Sequence, residues 1–127
     1  MINLIPLTDI FTIYQFCDNQ EIPSQILDSG FCSVTWTGDE VSVITNCDVN
    51  FENFKSSGGW RGFKVKGVLD LSLVGIINEI TRPLRENKIS VFVVSTYNTD
   101  FIFIKNESFS KATKIFKKEE NIDLVDV

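Results

Sequence analysis

The chain has 127 residues, 43% of them hydrophobic and 23% charged, with a formal net charge of −5 and a pI near 4.6. That is the composition of one ordinary globular domain, or of two very small ones that share a core. The acidic balance opposes binding to nucleic acid and to acidic membrane surfaces, because phosphate contacts reward the opposite sign. No apolar run approaches the ~18 residues needed to cross a bilayer. The N-terminal MINLIPLTDIF has no basic stretch before its apolar residues, so it does not read as a signal peptide, and a cytoplasmic protein is expected.

The first half of the chain holds weak elements. Thr12 to Phe16 reads as a strand and Pro23 to Asp28 as a short helix. Phe31 to Trp36 and Val41 to Ile44 read as a hairpin around Thr37-Gly38-Asp39-Glu40, with Gly38 supplying the freedom for the turn. Asn53 to Gly59, NFKSSGG, is the best linker candidate, which divides the chain into residues 1–58 and 59–127.

The second half is clearer. Phe63 to Leu69 alternates like a strand with one polar face. Asp70 and Ser72 offer N-cap oxygens to a helix whose apolar stripe is Leu73, Ile76, Ile77, Ile80 and Leu84. Pro83 should kink or weaken the last turn of that helix. Ile89 to Val94 and Phe101 to Ile104 read as buried strands. Ser108 can cap a second helix with Phe109, Ala112, Ile115 and Phe116 inward and Lys117-Lys118 at its C-terminal end. Ile122 to Val125 makes a last strand. The order is β-α-β-β-α-β, an α+β arrangement of the ferredoxin-like kind, and the first half looks like a worn copy of it.

The chemistry is narrow. Cys17, Cys32 and Cys47 are an odd set without CxxC spacing, which argues against a disulfide framework or a zinc site and for free thiols. The chain contains no histidine, so no Ser-His or Cys-His nucleophile pair can form, and no spacing singles out a carboxylate pair. No catalytic residue, metal or cofactor is expected. Trp36 and Trp60 read as core or interface residues. No basic-aromatic string marks the sheet as an RNA platform.

Two features leave a choice open. Gly75 falls where a helix interior is expected, at a cost on the order of 1 kcal/mol relative to Ala. Either close approach of a ligand or tight packing would offset that cost. The second feature is the joint between two apolar strands, which carries Ser95, Thr96, Asn98, Thr99 and Asp100. Asp100 can satisfy its own turn or meet an ammonium group. If this turn lies beside the start of the Asp70 helix, whose free N–H groups suit a carboxylate, the two ends complement a zwitterion. Asp70 can instead serve as a cap alone, the reading that the sequence by itself favours.

The stretch GWRGFKVKGVLDLSLVGIINEITRPLRENKISVFVVSTYNTDFIFIK resembles the ACT domain of the aspartate-kinase type. It is similar to small tandem-ACT proteins and to the repeats of CASTOR-type arginine sensors. Gly67, Asp70, Gly75, Pro83-Leu84, Ile89-Ser90-Val91 and the Ser95 to Asp100 turn carry the resemblance. It covers about Gly59 to Lys118, and the Phe31 to Thr45 hairpin is also similar, while the first ten residues match weakly. It implies two ACT-like subdomains packed side by side, and amino-acid binding at an interface between ACT modules. The site residues it implies are Gly75, Ile76, Thr96, Asn98, Thr99 and Asp100, and Asp70 and Ser95 join them as ligand-binding candidates from the helix start and the turn. A non-catalytic regulatory homodimer that acts on a partner protein is the expectation, and 11 phenylalanines in so small a chain also favour association. A structural dimerisation module without a ligand is the alternative.

Overall fold

A computed structural model describes residues 1–17, 22–48, 55–67 and 75–126. In chain order the elements are β1 (Ile2–Pro6), β2 (Phe11–Phe16), α1 (Ser24–Leu27), β3 (Cys32–Trp36), β4 (Val41–Thr45) and β5 (Lys55–Val65). They are followed by α2 (Ile76–Glu86), β6 (Phe92–Ser95), β7 (Asp100–Lys105), a 3-10 turn (Asn106–Ser108), α3 (Phe109–Lys118) and β8 (Ile122–Leu124). The fold is α+β and ferredoxin-like. The chain forms two compact units, Asp9–Trp60 and Met1–Thr8 with Arg61–Val127.

In the Asp9–Trp60 unit the strand order is β3-β4-β2-β5, and every neighbour is antiparallel. Tyr14, Phe16, Val41 and Val43 alternate inward from their strands, and Ile26 of α1 closes over them. The β3–β4 turn does not rest on Gly38, whose φ is not positive. Thr37 makes it instead, its Oγ1 accepting the N–H groups of Asp39 at 3.1 Å and Glu40 at 3.0 Å. The expected linker is also corrected. Lys55 to Gly59 is strand, while Asn53 and Phe54 lie outside the described residues. Along β2 and β5 the pairing steps from Phe11↔Trp60 to Ile13↔Ser57, so β5 carries one extra residue. Gly59 takes φ +72° there, so the two glycines make a β-bulge.

In the larger unit the strand order is β6-β7-β5-β1-β8. Leaving β1 aside, this is the order 2-3-1-4 of a βαββαβ chain, and β3-β4-β2-β5 follows the same permutation. β1 is the addition that the sequence pattern did not reveal. It runs antiparallel to β5 (Leu4↔Val65) and parallel to β8 (Ile2↔Ile122), so the first residues pack with the second half of the chain. Ile2 and Leu4 turn toward the same core as Phe63, Val65, Ile80, Leu84, Ile102 and Phe116. The ring of Phe63 stacks on Phe109 and meets Phe116 edge-on, each at 5.1 Å between centroids. Arg61 lies 3.8 Å from the centre of the Phe109 ring and donates two hydrogen bonds to the Leu7 carbonyl.

The helix ends differ in detail from expectation. α2 passes through Pro83 and continues to Glu86, and Asn87 Nδ2 donates to the Pro83 carbonyl at 2.8 Å. The helix then closes as a Schellman motif. Ile89 N–H bonds Leu84 O at 2.9 Å and Lys88 N–H bonds Arg85 O at 3.0 Å, with Ile89 and Leu84 both in the core. The left-handed position of that motif is held by Lys88 at φ +59°, where glycine is usual. Ser108 stands at the N-cap position of α3, but its hydroxyl caps nothing among the described residues. A 3-10 turn leads into the helix instead.

Two substitutions test this packing. A Cβ at Gly62 would sit 2.9 Å from Phe103 Cε1 and 3.1 Å from Leu7 Cδ1, inside van der Waals contact. Gly62→Ala is expected to destabilise by about 1–3 kcal/mol, the usual cost of overpacking, in urea denaturation. Lys88→Gly should act the other way. Relief of a left-handed residue gains about 1–2 kcal/mol and the added chain entropy loses about 0.5–1, so a net gain of up to about 1.5 kcal/mol is expected in the same measurement.

Candidate functional site

The Ser95 to Asp100 stretch is a tight hairpin. β6 and β7 pair up to Ser95↔Asp100, and the Thr96 N–H donates to the Thr99 carbonyl at 2.8 Å. The polar side chains complete the turn. Ser95 Oγ donates to Asp100 Oδ1 at 2.6 Å, and Thr96 Oγ1 lies 3.2 Å from the Thr99 N–H and 3.1 Å from its carbonyl. Tyr97 at the tip is 82% exposed, and Asn98 beside it is exposed as well.

Thr99 reaches out of the hairpin. It is only 6% exposed, and its Oγ1 donates to the Val65 carbonyl at 2.7 Å. A buried hydroxyl requires such a partner, since an unsatisfied one costs about 1–3 kcal/mol. The bond fastens the turn to the last residue of β5. From there Lys66 N–H bonds Asn3 O at 2.8 Å, and Gly67 turns the chain at φ +94°. Asp70 and Ser72 follow, outside the described residues.

Gly75 departs from expectation. Gly75 is not inside the helix. It is the N-cap of α2 at φ +90°, and its carbonyl takes the first helical bond, from the Glu79 N–H at 2.9 Å. Among the described residues no atom lies within 4 Å of the place where a Cβ would stand, so the backbone angle, not packing, calls for glycine here. No side chain caps this end among the described residues, which leaves first-turn N–H groups such as that of Ile76 for other partners. Ile76 itself is half-buried and packs against the core.

The candidates thus fall into two groups. Ser95, Thr96, Thr99 and Asp100 are joined in one hydrogen-bonded hairpin with Asn98 at its tip, and Gly75 and Ile76 form the start of α2. No hydrogen bond or ion pair connects the groups among the described residues. The Val65 carbonyl, which anchors the hairpin, is a backbone atom and left no signal in the sequence. Two clefts lie away from both groups. One of about 490 Å³ opens at the bulge, lined by Asp9, Thr12, Asn46, Asp48, Gly58 and Gly59. The other, of about 260 Å³, lies between α3 and the end of β8. Only the paired glycines of NFKSSGG hinted at the first.

The remaining chemistry is sparse. All three cysteines are free thiols, and burial, with Cys47 nearby, pushes the Cys32 thiol above its ordinary pKa. No cluster of three metal-ligating side chains occurs among the described residues, and no helix there is long and apolar enough to cross a membrane. Trp60 is buried, with its Nε1–H on Ser57 Oγ, whereas Trp36 is 56% exposed. Gly75→Ala supplies the test of the helix start. At φ +90° an L-residue is strained, so a loss of about 1–2 kcal/mol in thermal or urea unfolding is expected, opposite in sign to the gain predicted for a helix interior.

Comparison with known proteins follows this geometry. A sequence model described as the ACT domain matches residues 55–118, just over half the chain, from the first residue of β5 to the last of α3. The structure of protein Atu0741 from Agrobacterium tumefaciens is 27% identical, with a TM-score of 0.87 over 99% of this chain and 93% of that one. Protein VC0802 from Vibrio cholerae is 17% identical, with a TM-score of 0.65 over 90% and 86% of the two chains. The ligand-free regulatory subunit of aspartate kinase from Thermus thermophilus is 8% identical, with a TM-score of 0.58 over 88% and 93%. The last two share the fold alone. No curated protein matches the sequence. With strand order, helices and hairpin arranged in this way, and with the matching segment spanning β5 to α3, the chain belongs to the ACT-domain family.

Proposed function

We propose that the protein is a non-catalytic regulatory module that binds an amino acid at an interface between ACT modules. One observation carries this reading. The Thr99 to Val65 bond holds a polar hairpin at the end of β5, the strand that precedes α2, and no side chain caps the start of α2 among the described residues. The first-turn N–H groups of α2 would take the ligand carboxylate, and Asp100 its ammonium. Asp70, Gly75, Ile76, Ser95, Thr96, Asn98 and Thr99 complete the proposed site. Regulation follows by linkage: a ligand shared between modules stabilises one arrangement over another and so biases a partner protein. The two units are read as ACT-like modules of a chain that works as a homodimer in the cytoplasm, where its three free thiols stay reduced.

A second reading is favoured by a specific observation. The Ser95–Asp100 and Thr96–Thr99 bonds satisfy the turn without any ligand, as in a module that serves association alone. A thermal-shift screen against the common amino acids separates the two. A ligand at a hundred times its Kd should stabilise by about 2.7 kcal/mol, whereas a flat response to every amino acid supports the association module. For the ligand that emerges, Asp100→Asn should weaken binding by about 1.5–3 kcal/mol, roughly 10- to 150-fold in calorimetric titration. Unchanged affinity would confine Asp100 to its bond with Ser95.

A further inference from the structure

Charge is divided unequally between the two units. The segment Asp9–Trp60 contains eight acidic residues and one basic one, Lys55, whereas Met1–Thr8 and Arg61–Val127 together contain nine acidic and eleven basic residues. Within the larger unit the basic residues concentrate on α3, which carries Lys111, Lys114, Lys117 and Lys118 and no acidic residue. All four are exposed. At a period of 3.6 they cover the side of the helix opposite Ala112 and Phe116, which are buried in the core.

Helix stability does not account for this face. Lys117 and Lys118 sit in the last turn, where cations favour the dipole, but Lys111 sits in the first turn, where a cation opposes it. Lys114 and Lys118 are a like-charge pair four residues apart, which weakens a helix further. Among the described residues the ion pairs are those of Arg82 with Glu86 and Glu119, and none includes a lysine of α3. The face is therefore a cationic surface on a chain that is acidic overall.

We propose that the lysine face of α3 docks on the acidic Asp9–Trp60 unit of a second copy of the chain. The charge division argues for this occupant. Long-range attraction to an anionic membrane or a nucleic acid is opposed by the net charge of −5, whereas a second copy brings a segment with eight acidic residues against one basic residue in its sequence. Asp39 and Glu40, both exposed at the β3–β4 turn, offer two of those carboxylates together. Each copy carries both surfaces, so two copies can make the contact reciprocally in a two-fold dimer, or successive copies can close a ring or extend as a chain. It does not depend on the amino-acid reading above.

Sedimentation of the chain at about 20 mM and about 500 mM salt tests the proposal, because screening over a few ångströms removes such attraction at the higher value. Association at low salt should weaken by about tenfold or more at high salt. The triple variant Lys111→Glu, Lys114→Glu, Lys118→Glu and the double variant Asp39→Lys, Glu40→Lys should each lose the low-salt association. The two mixed together should regain it. Circular dichroism checks that each is folded, and a milder Lys→Gln set at the same three positions should lose most of the association if the Glu set fails to fold. Absence of association at low salt, insensitivity to salt, or association retained by either reversed variant overturns the proposal. So does binding of the wild-type chain to phosphatidylglycerol vesicles without self-association. The ligand reading is tested separately by the thermal-shift screen of the wild-type chain, so failure here and failure of that reading give separate results.

Discussion

Val65 is where the larger unit is held together. Its side chain enters the core beside Phe63 and Ile102, and its backbone pairs across to Leu4 of β1. Its carbonyl receives the buried hydroxyl of Thr99 at 2.7 Å. One residue thus joins a core, a strand from the start of the chain and the turn of the β6–β7 hairpin. The hydrogen bond sets where the hairpin can stand, because loss of the partner would strand a buried polar group.

The polar turn is consequently a finished structure before any ligand arrives. Ser95 already occupies one oxygen of Asp100, and Thr96 already braces both backbone groups of Thr99. A carboxylate accepts several hydrogen bonds, so a ligand's ammonium can join Ser95 on Asp100 without displacing it. The start of α2 differs, since no side chain satisfies its first amides among the described residues.

Much of this was legible from periodicity. The stripes Ile76-Ile77-Ile80-Leu84 and Phe109-Ala112-Ile115-Phe116 identify α2 and α3, and the apolar runs around Val93 and Ile102 identify the hairpin, because burial on one face leaves a repeat in the sequence. Features that depend on backbone angles or on distant partners left no such mark. Gly75 looked like an interior glycine because the sequence cannot report φ +90°. Gly38 looked like the maker of a turn that Thr37 makes with its side chain. The pair Gly58-Gly59 suggested a linker where a strand bulges. β1 is five residues long, and only its neighbours β5 and β8 make it a strand. Of the candidate site, the hairpin was readable as a cluster of turn formers, but its anchor on the Val65 carbonyl was not.

The placement of β1 has a consequence for how the chain reaches this state. Ile2 pairs with Ile122, so the sheet of the larger unit joins strands from near both ends of the 127-residue chain, whereas the Asp9–Trp60 unit is one uninterrupted segment enclosed between them. During synthesis the inner segment is complete before β6, β7 and β8 are made, and the β1–β8 pairing waits for Ile122. Such distant pairing makes ring closure the slow step, because the entropy of a long loop is lost before the contact repays it. Assembly should therefore proceed from the local Asp9–Trp60 contacts outward, with the β1–β8 pairing among the last to form.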